Sequence, residues 1–312
     1  MSENLFKLYV TQFSTVLNLK LQQRQSKLRG RVMEGFHVGK LASPIQYVGA
    51  IQMQQPAGRF APLNRQDVDF TRRWVFPVDK EASQLIDGFD KLKLLQDPTS
   101  QYSDVAAAAV AREWDDRIIA AAFATAQIGV DASGLTAETF NTGSTVTGAG
   151  WQIPSTFGSS AASGLTVAKM IEAKRAFRKA QVDVDMEPMC WVTNSQGESD
   201  LLNQVQVVSS DFNGNAPRLV DGKVVHFMGF DIVYSERLVS SSNLRQNIVL
   251  VKSGAYLGIW RDTINDISQR KDLSSLPYQL YTGMSSGATR LEPGRLLQAL
   301  CADTSAASDV TP

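Results

Sequence analysis

Five charged side chains surround one tryptophan in AREWDDRIIAAAFATAQIG (111–129): Arg112, Glu113, Asp115, Asp116 and Arg117. Carboxylates this dense could serve as a general acid and base if two of them converged on one substrate atom. On a helix, neighbouring Asp115 and Asp116 diverge by about 100° around the axis. Arg112/Asp116 and Glu113/Arg117 fall at i,i+4, where each pair stabilises an exposed helix by about 0.3–0.5 kcal/mol. Val110, Trp114, Ile118, Ala121, Thr125 and Ile128 form an apolar stripe on another face. The spacing predicts an amphipathic strut with an outward charged face, not a catalytic pair.

The other candidate chemistries fail on spacing. DFNGNAPRLVDG (211–222) opens like a calcium loop, with Asp211, Asn213 and Asn215 alternating. Ala216 then stands where the turn needs glycine, and Gly222 where the bidentate glutamate is required. GMSSGATR (283–290) lacks the spacing and lysine of a phosphate loop. His37 and His226 are the only histidines, neither beside an obvious partner, and no nucleophile elbow frames a serine. Cys190 and Cys301, the only cysteines, make neither a disulfide framework nor an unaided zinc site and read as buried thiols in a reducing compartment. Lys169, Lys174, Arg175, Arg178 and Lys179 line a second helix and could meet phosphate diffusely. No aromatic residue on that face offers stacking, so it reads as solvated or opposed to an acidic neighbour. No catalytic, cofactor-binding or metal-ligating residue is assigned.

The chain that must position any site has 312 residues, 43% hydrophobic and 20% charged, as in an ordinary soluble globular protein. Thirty-one basic residues balance 31 acidic ones, which argues against a protein whose main task is gripping DNA. No signal peptide is evident, and the apolar runs fall short of the ~20 residues that span a bilayer. Leu5, Tyr9, Phe13, Val16 and Leu21 predict an amphipathic helix over 3–23, and RQSKLRGR (24–31) an exposed arm.

From Ile45 the period becomes two. Ile45, Tyr47, Gly49, Ile51 and Met53 alternate with glutamines, and Val68, Phe70, Arg72, Trp74 and Phe76 resume the pattern after QQPAGRFAPLNRQ (54–66). The prediction is an antiparallel ribbon over 41–79 with arms of roughly fifteen residues, about 50 Å long. Two strands alone are marginal in water, so Tyr47, Phe70, Trp74 and Phe76 need cover from the ribbon's own domain or from another copy.

Ser103 and Gly129 are the expected cap and end of the helix that contains 111–129. Residues 130–164, rich in Gly, Ser and Thr but carrying Trp151 and Phe157, read as an ordered or partly ordered surface loop. A helix follows from Thr166 with Val167, Met170, Ala173, Phe177 and Ala180 on one face, and then MCWVTN (189–194) as a buried strand. Ser195 and Glu198 have capping-box spacing for a third helix to about Gln204. The remainder is strand-rich, through KVVHFMGFDIVYS, NIVLVKSGAYLGIWR and GRLLQALCA, and ends in a polar tail.

The order of these parts resembles the major capsid protein family of tailed bacteriophages. The resemblance is carried by the ribbon, by SDVAAAAVAREWDDRIIAAAFATAQIG as spine helix, by LTVAKMIEAKRAFRKAQVDVDMEPMCWVTN, and by VVHFMGFDIVYSERL, NIVLVKSGAYLGIW and GATRLEPGRLLQAL. It implies an α+β capsid fold: an N-terminal arm (1–40), an extended loop (41–79) and a peripheral domain from 80 to 164 with its spine helix at about 104–128. An axial domain (165–273), return strands of the peripheral domain (274–303) and a tail (304–312) follow. It further implies a non-enzymatic shell subunit forming hexamers and pentamers of an icosahedral shell around double-stranded DNA, contacted non-specifically. Synthesis would be in the bacterial host cytoplasm, with a portal as partner and no membrane.

In this family the extended loop lies over a neighbour, so Tyr47, Ile51, Phe70, Trp74 and Phe76 become expected inter-subunit contacts, with Phe6 and Phe13 from the arm. Some members cross-link a loop lysine; 41–79 contains none, so no covalent mesh is expected. Some begin with a cleaved scaffolding segment; the arm here starts almost at Met1, which implies a separate scaffolding protein. An encapsulin-like compartment subunit and, after it, an α/β enzyme with an unrecognised site are the alternatives; turnover abolished by a change at His226 or Asp211 would favour the enzyme.

Overall fold

The computed structural model describes residues 22–49, 51–55, 58–59, 62, 65–86, 99–208, 219–220, 222–274 and 276–303. The predicted N-terminal helix, the calcium-like loop from Asp211 to Asn215 and the tail lie outside them. Contacts divide the chain into two compact units. One comprises Met1–Gln25, Asp79–Arg112 and Thr263–Met284; the other comprises Ser26–Val78, Glu113–Asp262 and Ser285–Pro312.

The elements are β1 (Met33–Phe36), β2 (Gln46–Val48), β3 (Phe70–Trp74), β4 (Val78–Ile86) and α1 (Thr99–Phe123), then β5 (Ala126–Gly129), β6 (Thr136–Glu138), β7 (Gln152–Ile153) and α2 (Val167–Lys179). After them come β8 (Met189–Thr193), α3 (Ser195–Leu202), β9 (His226–Phe227), β10 (Phe230–Tyr234), β11 (Leu244–Val251), β12 (Ala255–Gln269), β13 (Tyr278–Arg290) and β14 (Leu296–Ala302).

The larger unit is built on a mixed sheet ordered β9-β10-β8-β11-β14-β7. Its central strand β8 is buried at all five positions, as an uninterrupted apolar run requires when both faces are covered. Helix α2 lays Met170, Ala173 and Phe177 into the same core as Trp191, Phe230, Val249 and Leu297. Trp191 meets Phe230 edge to face, with ring centroids 5.6 Å apart. Trp151 and Phe157 pack against this core and anchor the glycine-rich segment. The sheet draws β7, β8 and β14 from either side of the boundaries expected at 165 and 274.

Caps decide the helix starts. The helix expected from Thr166 forms, and Thr166 caps it by accepting the Lys169 N–H. At α3 the cap is Asn194, one residue before the expected Ser195: its side-chain oxygen accepts the Gly197 N–H at 3.0 Å, and Ser195 N–H is taken by Glu236 at 2.6 Å. Asn194→Ala is expected to lower the unfolding free energy by about 1 kcal/mol, read as a shifted denaturant midpoint at unchanged slope.

Helix α1 departs from expectation at both ends. It begins at Thr99, so Ser103 is internal, and it stops at Phe123. Thr125 and Ile128 therefore leave the predicted stripe, and Ala126–Gly129 forms a strand paired with β3. The terminus has no basic residue of its own in its last turn. Arg290, buried on β13, supplies the donors: Nη1 reaches the Ala124 and Ala122 oxygens at 3.1 and 3.4 Å, and Nη2 reaches Glu138 O at 3.2 Å. A guanidinium at a helix C-terminus satisfies its last carbonyls and complements the dipole.

Candidate functional site

The ribbon is antiparallel in the register Gln46↔Arg72, Tyr47↔Thr71, Val48↔Phe70, with a bridge Ala42↔Val75 at its root. The three-pair ladder is far shorter than the predicted fifteen-residue arms. It is prolonged by Gly49 N–H to Asp69 O at 2.8 Å. Further out, the Gln66 side chain replaces a backbone partner, donating to Gln52 O and accepting from Gln52 N–H at 2.8 and 3.2 Å.

The root is not a free two-stranded arm. It belongs to a four-stranded sheet, β2-β3-β5-β6. Trp74 pairs with Gln127 and donates its indole N–H to Gly129 O at 3.0 Å. Tyr47 packs with Ile45, Met33 and Trp260 against a buried cluster of Val75, Tyr256 and Leu291. Burial, followed by the nearby Glu292 charge, raises the Tyr47 hydroxyl above its ordinary pKa. Gly287 on β13 admits the chain as it leaves the ribbon: a Cβ there would fall 2.2 Å from Phe76 O.

The expected contact residues therefore divide. Tyr47 and Trp74 are half-buried and find part of their cover on their own chain, the first of the two kinds of cover the alternation leaves open. Ile51 (66% exposed), Phe70 (58%), Phe76 (42%) and Met53 (99%) remain in the open. Phe6 and Phe13 lie outside the described residues.

The carboxylates of α1 are neither a catalytic pair nor an outward face. Glu113 pairs with Arg117 as expected, at 2.7 Å. The expected Arg112–Asp116 pair does not form. Arg112 instead donates to Gln22 Oε1 and Gln23 O at 2.8 and 3.2 Å, and Asp116 takes both guanidinium arms of Arg237. Asp115 is fully buried and holds the backbone of residues 27–28. RQSKLRGR is consequently tied down over much of its length rather than an exposed arm.

The predicted basic face of α2 also shrinks. Lys169 is buried, its ammonium donating to the oxygens of Ser163, Gly164 and Leu300 at 2.7, 2.8 and 3.0 Å, and burial lowers its pKa. Arg175 forks onto Glu172, and Lys174 donates to Met228 O. No clue in the sequence separates Lys169 from its neighbours; its partners are carbonyls brought in by the fold.

Cys190 and Cys301 are buried, unoxidised thiols, pushed up by burial to about 12 and about 11. The His226 ring meets Asp231 at 2.9 Å, and the same carboxylate is held by Arg31. Among the described residues no cluster of His, Cys, Asp or Glu could hold a metal, and no helix is long and apolar enough to cross a membrane.

The sequence model of a family described as phage capsid protein matches residues 6–303. No curated protein matches. Among solved structures, the cyanophage Pam1 capsid is similar at a TM-score of 0.71 and 11% identity, over 96% of this chain and 98% of that one. The capsid of cyanophage P-SCSP1u matches at 0.67 and 15% identity, over 96% and 94%. The capsid of a native GTA particle matches at 0.67 and 12% identity, over 95% and 96%. The α+β fold is that of phage capsids across nearly its whole length, and with the family match over 6–303 the chain belongs to the phage capsid protein family, as a major capsid protein whose copies form the virion shell.

Proposed function

We propose that copies of this chain close into hexamers and pentamers of an icosahedral shell around double-stranded DNA, each laying the outer ribbon on a neighbour. One observation carries this reading. Val48, Ile51, Met53 and Phe70 stay exposed on a ribbon whose root packs against its own chain. Apolar residues gathered at such a place mark an interaction site. A contact that joins different surfaces of successive copies closes rings, as the two capsomer types require.

With no lysine between Leu41 and Asp79, the contacts holding the shell are non-covalent in this reading. The balanced charge fits DNA held by diffuse contact within a container. Separate scaffolding and portal proteins, and synthesis in the host cytoplasm, complete the proposal.

The test is the double variant Ile51→Ser, Phe70→Ser. Burying two such side chains is worth about 1.5–3 kcal/mol each. Their loss at every contact is expected to raise the subunit concentration needed for assembly by about a hundredfold or more, with an unchanged unfolding transition. Light scattering across a concentration series reads the threshold. An unchanged threshold would refute the ribbon's role.

A further inference from the structure

Residues 26–31 are held to the rest of the larger unit by a series of bonds, four of them to one side chain and two to Glu34, which takes Arg29 Nε and the Gly30 N–H. The Asp115 carboxylate accepts the Ser26 hydroxyl at 2.5 Å, the Lys27 N–H at 3.0 and 3.1 Å and the Leu28 N–H at 3.1 Å. Ser26 Oγ in turn accepts the Arg29 N–H at 3.1 Å. Leu28, directly after this turn, is completely buried.

The flanking cations extend the hold. Lys27 Nζ donates to Tyr234 O at 2.6 Å, Arg29 lies 4.8 Å over the Trp114 ring, and Arg31 pairs with Asp231. A carboxylate is the one side chain that accepts several donors at once and offers none in return. Hydrogen bonds to an ionised group are about twice as strong as neutral ones. Asp115 sits on α1, a rigid platform from which such a group can set the course of a separate segment.

We infer that Asp115 is a positioning residue for assembly: it clasps residues 26–31 and so fixes the course of the chain from Ser26 onward. The inference rests on the shell reading above for its purpose, but the clasp itself is testable on the unassembled subunit. In the shell reading the residues before Ser26 also engage other copies, and ordering a wandering root at each contact would cost binding free energy. The adjacent carboxylate, Asp116, faces Arg237 and takes no part in the clasp.

The variant is Asp115→Asn, which keeps the shape but turns one acceptor into an N–H donor facing the N–H groups of the turn. Limited trypsin digestion of the unassembled subunit reads the clasp, since cleavage follows the population of the locally open form. Cleavage after Lys27, Arg29 and Arg31 is expected to accelerate at least about tenfold. Cleavage after exposed Arg24 and at sites elsewhere stays constant, and shell yield falls. Ser26→Ala, which removes one bond of the set, gives a smaller change in the same bonds and carries the test should Asp115→Asn not fold.

Unchanged cleavage at these three bonds in both variants would overturn the clasp. Uniform acceleration across the chain would overturn the positioning role by showing that Asp115 acts only through global stability. Local acceleration with normal shells would overturn the link to assembly, leaving the ribbon proposal untouched.

Discussion

Replacing the ribbon tip, Gln54 to Asn64, by two glycines is expected to leave a folded, soluble subunit that forms no closed shells. The folded half of this expectation follows from the root. Its register is pinned by the Gln46–Val48 pairing with Phe70–Arg72, by the Ala42–Val75 bridge and by pairing of β3 with β5. Tyr47 and Trp74, the aromatics that could have collapsed without a tip, are already buried against or bonded to their own chain. These contacts are made by residues outside the tip.

The assembly half follows from what shortening removes. The end of the ribbon beyond Met53 is gone, and with it the reach that would seat the exposed Ile51 and Met53 on a neighbour. An interface contribution of about 3–5 kcal/mol lost at every copy compounds, because each subunit in a closed ring makes and receives the contact. Sedimentation should show only slow species, and electron micrographs no particles. Normal shells would contradict the proposal.

Arg290→Leu is expected to be the most destabilising single substitution in the larger unit outside its apolar core, at about 3–5 kcal/mol. Arg290 is 2% exposed, and its guanidinium serves the Ala122, Ala124 and Glu138 carbonyls while stacking 5.3 Å from the Phe140 ring. Leucine fills much of the volume but takes the donor from three carbonyl oxygens, one buried and two partly buried, at about 1–3 kcal/mol for a buried oxygen left without a donor. Arg290→Lys should recover only part of the loss, because a single ammonium cannot fork between the α1 terminus and the Glu138 backbone. Denaturant unfolding of the three proteins side by side gives the order native, lysine, leucine. Equal midpoints for all three would show that water replaces the guanidinium at no cost.

The same arginine explains where sequence reasoning stopped. Periodicity in α2 was legible because Met170, Ala173 and Phe177 recur on one helical face, and β8 because five apolar residues stand together. Both signals are local. The end of α1 at Phe123 is not local: it is set by a residue more than 160 positions later and by β3, which claims Ala126–Gly129 as a strand.

The candidate site shows the same division. Alternation alone marked Ile51, Phe70 and Phe76, which are exposed, and equally Tyr47 and Trp74, which are covered. A two-strand reading holds no information about a third strand, β5, arriving from beyond α1. Asp115 and Lys169 stand among charged neighbours, which gives both the pattern of a charged helical face. Their backbone partners, Lys27 and Leu28 for one and Ser163, Gly164 and Leu300 for the other, carry no side-chain signature that a sequence could display.

The central claim is that the outer ribbon is sheltered by a second copy. A reconstruction of the assembled particle tests it most directly. The account predicts side-chain atoms of Ile51, Met53 and Phe70 within about 4.5 Å of a neighbouring subunit, the range of apolar contact. Finding those three side chains in solvent, or folded against the chain that carries them, would contradict it.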